Sequence, residues 1–202
     1  MKIEAIVFDL GNVLVDWNPN HLYQKIFSKK EEREHFLNNI CNMTWHSEQD
    51  AGRSPEEATE MLVKEHPDFA HPIRAFYARW KEMFGGPIEG SVKILKELKE
   101  RGHKLYALSN WNAELFNRTI DDYPFLQWFD GKVISGEVKL KKPDEPIFHL
   151  LLEKFHLQAQ HTLFIDDSKQ NIETAERLGF QCIHFTNPES LRQKLNDLQL
   201  LG

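Results

Sequence analysis

Ile6-Val7-Phe8-Asp9-Leu10-Gly11-Asn12-Val13-Leu14 starts as an apolar run and ends in the turn pair Gly-Asn, with one carboxylate between. An apolar run this short, bounded by turn residues, reads as a β-strand in a sheet covered on both faces. In open α/β sheets, ligands and chemistry gather just past the carboxyl ends of such strands. Asp9 stands at that point. It reads as a nucleophile or metal ligand, with a cap on the following turn as the alternative.

Three more fragments follow in order. Leu105-Tyr106-Ala107-Leu108-Ser109-Asn110 is a second apolar strand, ending in a hydroxyl and an amide. Lys142-Pro143-Asp144 comes after Gly136-Glu137-Val138-Lys139 and opens a helical pattern. Thr162-Leu163-Phe164-Ile165-Asp166-Asp167-Ser168-Lys169-Gln170-Asn171 is a third strand, ending in paired carboxylates with an Asn four residues past the second. Each fragment alone has an ordinary reading: a turn, a solvated lysine, a helix N-cap. Their joint order, each at a strand end or helix start, points to one site.

The wider pattern supplies the frame. Strand-like runs fall at about 3–9, 104–108, 132–134, 162–166 and 181–185, and helical patterns separate most of them. Val92, Leu95, Leu98 and Lys99 keep helical spacing until Gly102 stops them; Ile147, Leu150, Leu151 and Phe155 repeat it; Ile172, Ala175 and Leu178 repeat it again before Gly179. Strands alternating with helices imply right-handed crossovers and a parallel sheet, hence an α/β, doubly wound (Rossmann-like) core. Residues 16–88 break the rhythm. They show helical stretches and no convincing strand after Val15, with Ser54-Pro55-Glu56-Glu57 as a clear helix start and Gly85-Gly86-Pro87 as punctuation. The expected division is a core of 1–15 and 89–202 with a small α-helical insertion over 16–88.

Composition sets the remaining bounds. A chain of 202 residues with 28% charged and 41% hydrophobic residues is an ordinary globular protein of about one domain. The net charge of −6 and the lack of a basic patch argue against a nucleic-acid partner. Cys41 and Cys182 are far apart and lack metal-site spacing, so both are expected to be buried packing residues in a reducing compartment. No signal peptide or membrane-spanning run is read, and a cytoplasmic location without membrane partners is expected.

Asp9, Ser109-Asn110, Lys142-Pro143 and Asp166-Asp167…Asn171 together resemble the four motifs of the haloacid dehalogenase superfamily, most of whose members are Mg-dependent phosphatases. The resemblance runs over essentially the whole chain. Phe8-Asp9-Leu10-Gly11-Asn12-Val13-Leu14-Val15-Asp16 is most similar to the bacterial phosphatases acting on α-D-glucose 1-phosphate. The Asp166-Asp167…Asn171 form also resembles the N-terminal phosphatase domain of soluble epoxide hydrolase.

The resemblance implies a helical cap at 16–88 and phosphoryl transfer to Asp9, followed by hydrolysis of the aspartyl-phosphate. It implies Mg²⁺ held by Asp9, Asp167 and the backbone carbonyl of Gly11, with Asp166 as a nearby carboxylate and Asn171 orienting it. Ser109, Asn110 and Gly11 become the substrate-binding positions, and Lys142 places its charge on the phosphate and on Asp9. Asn110 alternatively caps the helix that begins near Trp111. The partner is a small phosphorylated substrate, and the chain is expected to be a monomer or homodimer.

One departure bears on the substrate. Most phosphatases of the family carry a general acid and base two residues after the nucleophile, where this chain has Gly11. Either another residue or a water donates the proton, or the leaving group needs little help, as the anomeric oxygen of a sugar 1-phosphate would. Asp16 is the nearest other acid in sequence, and its other reading is a solvated hinge residue. Two different chemistries stand as alternatives: a metal-independent 2-haloacid dehalogenase, and a non-catalytic binder of phosphorylated ligands. Trp17, Trp45, His46, Glu48, Arg53 and Trp111 are the expected specificity positions.

Overall fold

The structure, a computed structural model, describes residues 2–202. In chain order the elements are β1 (Ala5–Phe8), β2 (Val15–Trp17), α1 (Asn20–Tyr23), α2 (Lys30–Asn39), α3 (Met43–Asp50), α4 (Pro55–Glu65), α5 (Ala70–Ala78) and β3 (Phe84–Pro87). They continue with α6 (Glu89–Glu100), β4 (Lys104–Ser109), α7 (Ala113–Thr119), β5 (Gly131–Ile134), α8 (Ser135–Val138) and α9 (Glu145–Phe155). The last four are β6 (Thr162–Asp166), α10 (Lys169–Arg177), β7 (Gln181–His184) and α11 (Pro188–Asp197), and short 3₁₀ turns fill several connections.

Five strands form one sheet in the order β5-β4-β1-β6-β7, every neighbouring pair parallel. β1 lies at the centre with all four residues buried, which is why its sequence is continuously apolar rather than alternating. Successive side chains still choose opposite faces. Ile6 and Phe8 pack with Ile94, Leu95 and Leu98 of α6 and Leu191 and Leu195 of α11. Val7 packs on the other face with Ile147, Phe148 and Leu151 of α9 and Ile172 and Ala175 of α10. Helices on both faces make the sheet doubly wound, as the pattern predicts. Its carboxyl edge is where Phe8, Ser109 and Asp166 end their strands.

The segment between β2 and β3 is helical, α1 to α5. Ser54 caps α4 by accepting from the Glu57 N–H, with Pro55 in the first turn, as its sequence predicts. Tyr23, Phe36, Ile73 and Phe76 are fully enclosed here and join the core that lies under α6 and α11.

Two expectations need correction. A strand does follow Val15. Phe84-Gly85-Gly86-Pro87 pairs antiparallel with Val15–Trp17 as a two-stranded ribbon at the root of the helical segment. Gly-Gly-Pro has the composition of a turn, and Gly85 packs against the Asp16 side chain, whose Oδ2 would lie 1.9 Å from a Cβ there. Only Cys41 is buried; Cys182 is half-buried on β7. Among the described residues no helix is long and apolar enough to cross a membrane.

Candidate active site

Asp9 follows β1 directly. Its N–H continues the ladder to Ile165 O (2.8 Å), and its Oδ1 accepts from the next backbone amide, Leu10 N (2.7 Å). The following turn places Asn12 at φ 55°, a left-handed conformation that Asn tolerates better than most side chains. Asn12 Oδ1 then accepts from Trp17 N (3.1 Å), tying the turn after Asp9 to the ribbon.

Lys142 lies across from Asp9 and is 3% exposed. Its ammonium contacts Asp166 Oδ2 at 2.6 Å, Leu108 O at 2.8 Å and Asp9 Oδ1 at 3.0 Å. Its three donors are thereby engaged, so its charge can act on an anion in the cavity only through space. Asp166 is fully enclosed. Besides Lys142 it accepts from Asn171 Nδ2 (3.0 and 3.1 Å) and from Ser168 N (2.8 Å). Asn171 thus donates to both oxygens of Asp166. Ser168, not either aspartate, occupies the N-cap position of α10, although Asp166 closes the turn leading into it.

Asp9, Asp166 and Asp167 each offer a carboxylate oxygen within 4.8 Å of the others. Three carboxylates against one ammonium leave an excess of two negative charges when all are ionised. Burial drives the Asp9 carboxyl up to about 7 against the pull of Lys142, with Asp166 and Asp167 adding to the rise. Asp167 is raised as well, first by burial and then by Asp166. This is the setting a hard divalent cation relieves, and the oxygen-only donor set suits Mg²⁺ rather than zinc or copper.

Ser109 ends β4, is almost fully buried, and lines the cavity beside Asn110 and Trp111. Asn110 does not cap a helix. Asn112 does, its Oδ1 accepting from Glu114 N (3.0 Å) and Leu115 N (3.2 Å), and α7 starts at Ala113 rather than near Trp111. Asn110 instead clamps the Lys142 backbone, donating from Nδ2 to its carbonyl and accepting at Oδ1 from its N–H, both at 2.8 Å. The Ser109 turn is seated on Gly136, where a Cβ would lie 2.3 Å from Ala113 N. Gly11 lines the cavity, and nothing lies within 4 Å of where its Cβ would be.

The cavity above these residues has a volume of about 410 Å³. Its far wall belongs to the helical segment and ribbon: Trp17, Met43, His46, Asp50, Trp80 and Phe84. Trp17, His46 and Trp111 are therefore where the sequence expects specificity residues. Trp45, Glu48 and Arg53 are not; Glu48 pairs with Lys141 (3.1 Å), and Arg53 lies behind the wall against Gln49 (2.8 Å). Asp16 is half-exposed and paired with His21 at 2.9 Å on the ribbon, which fits its hinge reading. Asn112 joins the two sides, its Nδ2 donating to Gln49 O (3.0 Å).

Sequence reasoning missed Asp50, Gln49, Tyr77, Trp80 and Asn112. His46 and Asp50 are four apart on one helix, so the spacing that puts both on one face was available. Tyr77 was not findable, because α3 and α5 meet only in the folded chain.

The sequence profile of the haloacid dehalogenase-like hydrolases matches residues 3–179. The sesquiterpene phosphatase astK of Aspergillus oryzae is 27% identical over 98% of this chain and 97% of its own. The GMP/IMP nucleotidase YrfG of Escherichia coli is 23% identical over 93% and 85%. Among solved structures, a haloacid dehalogenase family enzyme from Bacteroides thetaiotaomicron superposes with a TM-score of 0.69 at 22% identity, covering 92% of this chain and 95% of that one, in a complex with magnesium and inorganic phosphate.

Proposed function

The chain belongs to the haloacid dehalogenase-like hydrolases, and from that premise we propose that it is a Mg²⁺-dependent phosphatase acting on a small phosphorylated metabolite. Residues 1–15 and 89–202 serve as the catalytic core, and residues 16–88 as a cap over it. One observation carries the reading. Three carboxylates converge within 4.8 Å at the cavity floor, with Lys142 bridging Asp9 and Asp166.

Asp9 is the nucleophile. Its free oxygen attacks phosphorus, the ester P–O bond breaks, and an aspartyl-phosphate forms that water then hydrolyses. Asp9, Asp167 and the Gly11 carbonyl would hold Mg²⁺, which would supply positive charge against the repulsion between carboxylate and phosphate. Lys142 fixes the Asp9 rotamer by bridging Asp9 and Asp166. Ser109 and the backbone N–H groups after it hold phosphate oxygens, and Asn110 acts on them through the Lys142 backbone. The acidic pair Asp166-Asp167 favours this chemistry over metal-free dehalogenation, which has no use for three adjacent carboxylates.

The relatives' names span terpenoid and nucleotide phosphates. The cavity favours a polar body with flat apolar faces. Trp17, Trp80, Phe84 and Trp111 offer ring faces, and His46 and Asp50 would be stranded against a purely hydrocarbon chain. A phosphorylated sugar meets both demands, and a sugar 1-phosphate is the first to test. A panel of phosphorylated sugars, nucleotides and prenyl phosphates, run with Mg²⁺ and with excess chelator, tests the reading. Chelator-sensitive phosphate release is expected, fastest on sugars; chelator-independent turnover would contradict the metal's role.

A further inference from the structure

A phosphate ester's leaving oxygen becomes an alkoxide unless something protonates it. In an in-line displacement that oxygen departs on the side of phosphorus opposite the nucleophile, here the side facing the cap. The titratable groups lining the cavity are Asp9, Asp167, His46 and Asp50. The first two are taken by the nucleophile and the cation. The other two form a buried pair on α3, Asp50 7% and His46 4% exposed, with Nε2 and Oδ1 3.8 Å apart.

The hydrogen bonds behind this pair fix what it presents. Arg53 Nε donates to Gln49 Oε1 (2.8 Å), so the other end of that amide is the nitrogen. Gln49 Nε2 donates to Tyr77 Oη (2.8 Å). Tyr77 Oη is 3.0 Å from His46 Nδ1, the acceptor for its own proton among the described residues. With Nδ1 accepting, the neutral imidazole carries its proton on Nε2, facing Asp50. Burial lowers the His46 imidazole and raises the Asp50 carboxyl, which shifts both groups toward their uncharged forms. The Asp50 carboxyl is buried and lines the cavity, with the Asn112 backbone N–H against it. Lys141 and Lys142 are near enough to steady the carboxylate it would become.

Resting on the phosphatase reading, we infer that Asp50 is the general acid of the first half-reaction and the general base of the second, with His46 as its positioning residue. As the Asp9–phosphorus bond forms and the ester bond breaks, the Asp50 proton passes to the departing oxygen, which leaves as an alcohol. The Asp50 carboxylate then takes a proton from the water attacking the aspartyl-phosphate. Asp9 leaves as carboxylate, inorganic phosphate is released, and Asp50 is protonated again.

The test is pre-steady-state turnover of Asp50→Asn in the full chain with Mg²⁺, on an alkyl phosphate and on p-nitrophenyl phosphate. The nitrophenolate leaving group needs no proton, so its first half-reaction should proceed as a burst near the wild-type rate, followed by slow steady turnover. The alkyl ester should show no burst, with its first step slowed by about 10² to 10⁴-fold. Asp50→Ser carries the same expectation and serves if the amide variant does not fold. Equal slowing of the first step on both esters, or no slowing on either, overturns the inference while leaving the phosphatase reading intact. A wild-type protein that hydrolyses neither ester, nor any member of the metabolite panel, overturns both.

Discussion

Asn110 grips Lys142 by its backbone, with both ends of one side-chain amide, at 2.8 Å each. The lysine that joins Asp9 to Asp166 is thus positioned by the turn that follows Ser109. Asp9, Ser109 and Lys142 are set by one local geometry. Asn110→Ala should leave the Lys142 N–H and carbonyl without these partners and let the ammonium drift. A misplacement of about an ångström is worth roughly 10²-fold in rate, so kcat should fall by about that factor with KM changed far less. Steady-state kinetics beside a melting curve check it; a loss confined to KM would instead place Asn110 on the substrate.

The pH dependence of cation binding follows from Asp9. Its folded-state value of about 7 lies above the ordinary 3.8. Without a cation, the stabilisation from holding that proton is complete below about pH 4 and is lost as pH rises through about 7. Mg²⁺ bound at Asp9 would take the proton's place. The rise in melting temperature on adding Mg²⁺ should therefore be small at pH 5 and large at pH 8. A shift that does not change with pH would show that Asp9 does not bind the ion.

Asn112→Ala removes a helix cap and the latch to Gln49 O together. The stability loss should be about 1 to 2 kcal/mol by denaturant titration. The cap should also close less firmly, raising KM more than it lowers kcat. An unchanged KM would mean that the latch does not hold the cap in solution.

Gly136→Ala is expected to cost about 1 to 3 kcal/mol, because its Cβ would meet the Ala113 N and Trp111 O backbone atoms rather than a movable side chain. Activity should fall with stability, since the displaced turn carries Ser109 and Asn110. Wild-type kinetics in this variant would show that the turn relaxes without moving Ser109.

Much of this was legible in the chain. β1, β4 and β6 are largely apolar runs, with Asp9 following β1 and Ser109 and Asp166 ending the other two, and the candidate site lies where they stop. Asp9, Lys142, Asp166, Asp167 and Asn171 meet as their positions in the α/β pattern imply. The ribbon strand Phe84–Pro87 was hidden because its pairing rests on a close approach to Asp16, which no local propensity records. The Tyr77–His46–Asp50 array was hidden for a related reason. Tyr77 and His46 are 31 residues apart and meet only through the packing of α3 on α5. The capping role open to Asn110 is held by Asn112 instead, because either fits the same turn composition.

The most direct measurement of covalent catalysis at Asp9 is acid-quench trapping. The protein is mixed with Mg²⁺ and a turning-over phosphate ester, quenched within milliseconds, digested and read by mass spectrometry. The account predicts a phosphoryl group on the peptide containing Asp9, absent in Asp9→Asn, which should keep the wild-type fold and lose turnover. A phosphoryl group found on another residue, or undiminished turnover by Asp9→Asn, would contradict it.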